Sequence, residues 1–140
     1  MTAAGELLLD TGALVAALHR GDRDHARCVA ALAGFRGTLL TTEAVLTESL
    51  YLMARFAGGQ EACLDFFLRQ GATLIPQSLD SLARCKQLMG RYADLPMDFA
   101  DATLVVLAEE LGVKRVLTLD RRGFGVYRIG RRERFTIVPG

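Results

Sequence analysis

Long apolar runs are missing from this 140-residue chain. The longest is six residues, or seven across 102–108 if Thr103 is tolerated. A membrane-spanning helix needs roughly twenty, so a spanning segment is excluded. The opening stretch MTAAGELLLD has no basic cluster ahead of an apolar core, which argues against a secretory leader. Cysteine is scarce: Cys28, Cys63 and Cys85 are widely spaced and form no CxxC pair. That spacing excludes a disulfide framework and a zinc ribbon, and it fits three small buried hydrophobes in a reducing cytoplasm. Histidine is scarcer still, with only His19 and His25, both in an early helical stretch. Internal repeats, low-complexity tracts and Pro/Ser-rich linkers are absent, so a single domain over 1–140 is expected.

What is present reads as an ordinary globule. Apolar residues make up 51% and charged residues 24%, a balance that argues against disorder. The net charge of +1 hides an uneven distribution. Residues 1–113 carry nine basic and fourteen acidic groups, a net of −5. Residues 114–134 carry eight basic groups against Asp120 and Glu133, a net of +6. A basic strip on an acidic body is either a solvated face or one that meets phosphate.

Hydrophobic patterning predicts strands alternating with helices. The strand candidates are Glu6–Asp10, Thr38–Thr41, Thr73–Pro76 and Arg115–Leu119, with Phe135–Val138 as a fifth at an edge. The helix candidates are Ala13–His19, Asp24–Ala33, Glu43–Ala57 capped by Thr42, Glu61–Gln70, Ser81–Tyr92, and one from Asp98 or Phe99 to Leu111. Gly112 supplies the stop for the last of these. The expected class is α/β, with three layers around a central parallel sheet of four or five strands.

Within that frame four carboxylates are out of place. Asp10 and Asp120 follow apolar strands (ELLLD, RVLTLD), and the carboxyl ends of parallel strands are where ligands sit. Each one alone reads equally as an Asx turn or a helix cap. Glu48 falls inside an apolar arc of its helix, between Ala44 and Tyr51 on one side and Val45 and Leu52 on the other. Asp101 falls among Leu104, Val105 and Ala108, while the polar arc of that helix holds Glu109, Glu110 and Thr103. Asp98 reads as the helix N-cap or as a member of the same group of acids. Glu43 is placed in a first turn, where the helix dipole favours an acid.

If Asp10, Glu48, Asp101 and Asp120 converge, repulsion dominates. Two carboxylates 4 Å apart cost about 4 kcal/mol even at an effective dielectric near 20. Gathering all four would exceed the roughly 5–15 kcal/mol stability of a typical domain. Either protons are retained or a divalent cation binds, and oxygen-only ligands suit Mg²⁺ or Mn²⁺.

The blocks LLLDTGALVAAL, TTEAVLTESLYLM, LPMDFADATLVVLAEELG and RVLTLDRRGF run from Leu7 to Phe124. In this order and spacing they resemble a PIN domain of the VapC toxin type. The resemblance implies a compact α/β/α fold with a metal-dependent ribonuclease site. It matches Asp10, Glu48, Asp101 and Asp120 to the four acids of that site and Asp98 to an additional acid found in some members. It matches Thr11 and Thr118 to the small hydroxyl residues flanking the first and last acids, read here with Arg121 and Arg122 as substrate-binding. It also implies RNA as substrate, a cognate antitoxin protein and a homodimer as the working unit, while the cytoplasmic location is read from the cysteines. Carboxylate-held Mg²⁺ can promote in-line attack of water on a phosphodiester, leaving 5′-phosphate and 3′-hydroxyl ends. The rival route through a 2′-OH would need a histidine pair at the strand ends, where this chain has none.

Other classes fit less well. A haloacid-dehalogenase site needs DxDx[TV] where this chain has DTGAL, and a phospho-acceptor receiver needs an acidic pair and a lysine that are missing. A non-catalytic RNA- or protein-binding module with structural acids is the alternative. Residues 43–57 are apolar or aromatic almost all round, and Leu64, Phe66, Phe67 and Leu68 follow. That pattern means complete burial or an apolar groove for a partner helix.

Overall fold

Three consecutive leucines centre the fold. The structure, a computed structural model, describes residues 5–140; the first four residues of the stretch read for a leader lie outside the described residues. Successive side chains of a strand point to opposite faces. In β1 (Glu6–Leu9), Leu8 therefore enters one core while Leu7 and Leu9 enter the other. A strand buried on both faces belongs in the middle of a covered parallel sheet.

The neighbours are β2 (Thr38–Thr41), β3 (Thr73–Leu74), β4 (Arg115–Leu117) and β7 (Thr136–Val138). The sheet order is β3-β2-β1-β4-β7, and every pair is parallel. On one face, Leu8, Leu40 and Val116 pack against α5 (Leu79–Arg91) and α6 (Phe99–Leu111) through Leu88, Leu104 and Val105. On the other, Leu7, Leu9 and Leu117 meet α1 (Thr11–Leu18), α2 (His25–Gly34) and α4 (Gly59–Leu68) through Leu14, Cys28 and Cys63. The helix between them, α3 (Glu43–Met53), gives Val45 to the first core and Met53 to the second. The three-layer α/β/α architecture with a parallel sheet, here of five strands, is as the patterning predicts. All three cysteines are buried and unpaired. No helix among the described residues is long and apolar enough to cross a membrane.

Several boundaries differ from the sequence reading, each for a local reason. Strand β4 stops at Leu117, two residues early, because the Thr118 hydroxyl accepts from the Asp120 amide at 2.9 Å and turns the chain. Asp120 therefore caps a short helix, α7 (Arg121–Phe124), instead of ending a strand. Helix α3 leaves the helical path after Met53 through tight turns closed by Phe56 N and Gly59 N, although the apolar pattern runs on to Phe56. Helix α5 starts at Leu79 because Ser78 caps it, accepting from Ser81 N at 3.0 Å. An antiparallel pair, β5 (Arg128–Ile129) and β6 (Glu133–Arg134), lies inside the basic strip and is not foreseen. Helix α6 ends at Gly112, whose φ of 69° is the left-handed conformation that glycine adopts without a Cβ clash.

Thr103 is the clearest misplacement. The expected polar arc of α6 would expose it, yet residues 102–108 are all buried. The middle of the helix is enclosed on all sides, so a hydroxyl there must find an internal partner. Thr103 Oγ1 donates to the Ala100 carbonyl at 2.7 Å and lies 2.8 Å from Thr42 Oγ1, the N-cap of α3. That contact ties the helix of Glu48 to the helix of Asp101. Thr42→Val removes the cap and the inter-helix hydroxyl contact together, and a loss of about 2 kcal/mol is expected in urea-unfolding free energy.

Candidate active site

The chain leaves β1 at Asp10 with extended backbone and enters α1 at once, so Asp10 is an N-cap at a strand's carboxyl end. Its Oδ1 accepts from Thr11 N at 2.8 Å, and its Oδ2 accepts from Thr118 Oγ1 at 2.6 Å. The same Thr118 oxygen accepts from Asp120 N, so one buried hydroxyl couples the first acid to the last. This revises the reading of Thr118. Its proton is committed to Asp10 and the residue is 1% exposed, so in this structure it positions two acids. Burial raises the Asp10 carboxyl from its ordinary 3.8 to about 6 despite both hydrogen bonds, and the charges of Asp120 and Glu48 add to the rise.

Asp120 turns back onto its own helix, where its Oδ1 accepts from Gly123 N at 2.9 Å. A Cβ on Gly123 would stand 2.4 Å from Asp120 Oδ2 and 3.0 Å from the Tyr127 hydroxyl. Only glycine leaves room for both groups there.

Asp101 sits in the first turn of α6, half-buried. Its Oδ2 accepts from the Tyr127 hydroxyl at 3.0 Å. Burial is the main cause that lifts its carboxyl to about 7, followed by the charges of Asp10 and Asp98, with the Tyr127 bond opposing. The Tyr127 phenol is itself raised, by burial and by the Asp101 charge. Asp98 caps α6, accepting from Asp101 N at 2.8 Å, and is exposed. The capping reading of Asp98 therefore holds, at a position whose charge Asp101 feels.

Glu48 departs from expectation. The arc assigned to it is not a buried face, since Tyr51 is 79% exposed, and Glu48 itself is half-buried. It stands on the shared wall of two cavities. One, of about 340 Å³, is lined by Asp10, Thr11, Gly12, Glu48, Leu52, Leu119 and Asp120. The other, of about 730 Å³, has Glu43, Glu48, Tyr51, Asp98 and Phe99 in its lining and is mostly apolar. Glu43 occupies the first turn of α3, as expected.

The hydroxyl residue after the first acid behaves unlike Thr118. Thr11 Oγ1 is buried beside the smaller cavity without a hydrogen-bond partner. Ser49 Oγ, next in sequence to Glu48, is the other buried side-chain atom in that state among the described residues. Arg121 and Arg122 are exposed on α7, but the Arg121 guanidinium donates to the Pro139 carbonyl at 2.8 Å. Neither histidine lines either of these cavities: His19 stacks on Phe56, and His25 Nδ1 lies 2.8 Å from the Ala16 carbonyl.

The donor set fits a hard divalent cation. Every group is a carboxylate or hydroxyl oxygen, and burial, with the charges of neighbouring acids added to it, raises Asp10 to about 6 and Asp101 to about 7. Among the described residues, no three acidic, histidine or cysteine side chains are gathered into a preformed cage. Mg²⁺ characteristically needs none, because it binds through one or two carboxylates and keeps several waters or takes phosphate oxygens. Sequence reasoning missed Tyr127 and Gly123. Their segment, GFGVY, reads as apolar punctuation, and nothing in it signals a hydroxyl donor to a residue 26 positions earlier.

An open α/β/α sheet with acids at its carboxyl edge is the architecture of a small nuclease-like domain, and comparison with known proteins narrows it. The chain belongs to the PIN-domain family, of the VapC type, with the PIN domain matched over residues 7–130. It is 30% identical to Ribonuclease VapC26 of Mycobacterium tuberculosis over 135 residues, covering 95% of this chain and all of that protein. Among solved structures it resembles M. tuberculosis VapC20, described as a Sarcin-Ricin loop cleaving toxin. That match has a TM-score of 0.72 at 17% identity and covers 88% of this chain and 97% of the other. VapBC2 of Rickettsia felis, bound to a DNA fragment from its promoter, matches with a TM-score of 0.68 at 16% identity over 95% and 98% of the two chains. A toxin–antitoxin complex from Klebsiella pneumoniae gives 0.63 at 20% identity over 86% and 91%. At these identities the solved structures establish the fold.

Both raised carboxyls bind protons more tightly in the folded chain than in the unfolded one, where 3.8 applies. The stabilisation is therefore complete below about pH 4 and is lost as pH rises through 6 to 7. Metal-free protein is expected to melt at a lower temperature at pH 8 than at pH 5. Asp101→Asn should flatten that slope and raise Tm at pH 8 by about 5 °C, as read by calorimetry in chelator.

Proposed function

We propose that this chain is a Mg²⁺- or Mn²⁺-dependent endoribonuclease and the toxin of a toxin–antitoxin pair. The observation that carries the reading is the electrostatic coupling of Asp10, Asp101 and Asp120 at the carboxyl edge of the sheet, in a VapC-type PIN domain. Each of these acids is held by a donor, yet Asp10 and Asp101 are still raised to about 6 and about 7, by burial first and by neighbouring acids besides. Asp10 and Asp101 would hold the ion, Glu48 and Asp120 would complete the site, and Asp98 stands at its rim. When bound, such an ion supplies positive charge to a phosphate oxygen and lowers the pKa of an adjacent water.

The chain's own residues supply the rest. The Thr11 amide and the Thr118 hydroxyl hold both Asp10 oxygens in place, so the carboxylate needs no reorganisation when it is used. The unpartnered Thr11 hydroxyl offers a hydrogen bond to substrate or its water in the smaller cavity. Arg122, and Arg121 to the extent that Pro139 releases it, would meet phosphates flanking the cut. Hydrolysis joins a water oxygen to phosphorus in line with the departing 3′ oxygen, leaving 5′-phosphate and 3′-hydroxyl ends.

The solved relatives that are toxin–antitoxin assemblies support an antitoxin partner. The apolar stretch from α3 into α4 is mostly covered, but Tyr51, Leu64 and Leu68 are 79%, 43% and 78% exposed and are open to a partner helix. The same reading includes a homodimer, a cytoplasmic location and one domain over 1–140.

Cleavage of RNA by the purified chain is expected to need Mg²⁺ or Mn²⁺ and to fall to background in EDTA and in Asp10→Asn. End mapping should find 5′-phosphates. Full activity in chelator would overturn the reading. In RNA-binding titrations, the double variant Arg121→Ala/Arg122→Ala should lower the slope of log affinity against log salt by about 0.7 for each phosphate that the variant no longer neutralises. Light scattering at micromolar concentration should find a dimer, or a larger complex when the chain is co-expressed with its neighbouring small protein. A lone monomer in both cases would remove the partner claims and leave the nuclease claim intact.

A further inference from the structure

Each of the three coupled acids has a carboxylate oxygen pinned, and the pins differ in origin. Asp10 is held by α1 and by Thr118, and Asp120 by the amide of its own short helix. Asp101 receives nothing from its own helix. The Tyr127 hydroxyl is the one group among the described residues that donates to its carboxylate, at 3.0 Å on Oδ2, which leaves Oδ1 without a protein donor. Charge pushes the other way, since Asp10, Asp98 and Asp120 all repel an ionised Asp101. A half-buried carboxylate on the first turn of a helix, repelled from three sides, would rotate towards water unless something held it.

Tyr127 is built to hold it. The residue is 1% exposed, and its ring meets Tyr92 and Phe124 edge to face with centroids 5.1 Å apart in both cases. Phe124 packs on Phe135 in the same way at 5.2 Å. Tyr92 is fixed in turn because its hydroxyl accepts from Arg128 N at 3.0 Å. The Tyr127 backbone amide donates to the Gly123 carbonyl at 2.9 Å, and the missing side chain of Gly123 is what lets the phenol approach the Asp120 carboxylate. The phenol is therefore a rigid donor in an aromatic wall, bonded to Asp101 and separated from the Asp120 carboxylate by the space that Gly123 leaves open.

We infer that Tyr127 is a positioning residue of the site: its hydroxyl clamps Asp101 Oδ2 so that Oδ1 is presented to the cation, and Gly123 is glycine to admit that hydroxyl beside Asp120. The inference rests on the metal-dependent reading of the site. Groups that orient a ligand without touching the ion commonly contribute 10- to 100-fold to its affinity.

Tyr127→Phe keeps the ring packing and deletes only the donor. Mn²⁺ binding to the full-length chain, measured by titration calorimetry, should weaken about 10-fold. Cleavage should fall at limiting Mn²⁺ and recover when Mn²⁺ is raised about 10-fold, because the ligand itself is still present. Asp101→Asn should not recover. If wild type and Tyr127→Phe bind Mn²⁺ equally well, the clamp is refuted and the nuclease reading stands. If wild type binds no Mn²⁺ and cleaves RNA in chelator, both fall. Gly123→Ala gives a second check: it should also weaken Mn²⁺ binding, and unchanged affinity there would overturn the steric half of the inference.

Discussion

The burial of acids beside one another at the sheet edge is the constraint to which the surrounding structure answers: desolvation raises Asp10 and Asp101 most, and neighbouring carboxylates add to both. Two proton-retaining carboxyls, one buried and one half-buried, are a standing cost in a domain of marginal stability. The chain tolerates that cost by fixing each group from a rigid element. Asp10 is locked between a helix N-terminus and Thr118, Asp120 is folded onto Gly123, and Asp101 is held by a phenol from the core. None of these donors removes the charge conflict. They hold it in one geometry, which is what pre-organisation for a cation requires.

The surrounding architecture follows from the same need. A parallel sheet delivers the carboxyl ends of β1 and β4 to one edge, so two acids become neighbours although they lie 110 positions apart. Helix α6 brings the third in by its first turn, and the Thr42–Thr103 hydroxyl contact keeps the helix of Glu48 in step with it. The aromatic wall of Tyr92, Phe124, Tyr127 and Phe135 serves the core and the site together. Stability and function are thus carried by some of the same side chains.

The two cavities divide the surface in a way that bears on ligands. The smaller is polar in its working groups and open, suited to a phosphate and an ion. The larger is apolar, rimmed by Glu43, Glu48 and Asp98, and shares Glu48 with the first. A flexible strand crossing from one to the other would meet acids at the cut and apolar surface beside it. Glu48, half-buried on the dividing wall, is the residue best placed to respond to what occupies either side.

Much of this was legible in the sequence by itself. Apolar runs ending in Asp at 10 and 120, an acid set in an apolar helix at 101 and the stop at Gly112 are local patterns, and local patterns report local structure. They were enough for the α/β class, the parallel sheet and the acids of the candidate site. What escaped depended on partners distant in the chain. Thr103 looked solvent-facing because helical periodicity sees one helix and not the neighbours that enclose it. That the Thr118 proton is spent on Asp10 is something only the fold shows. Glu48 looked buried because an apolar arc was taken for a core face. Tyr127 and Gly123 looked like nothing at all. Composition and spacing determined which groups could do chemistry. Tertiary packing decided which of their oxygens are held and which are left free, because a hydrogen bond across 26 or 108 positions has no counterpart in the order of residues.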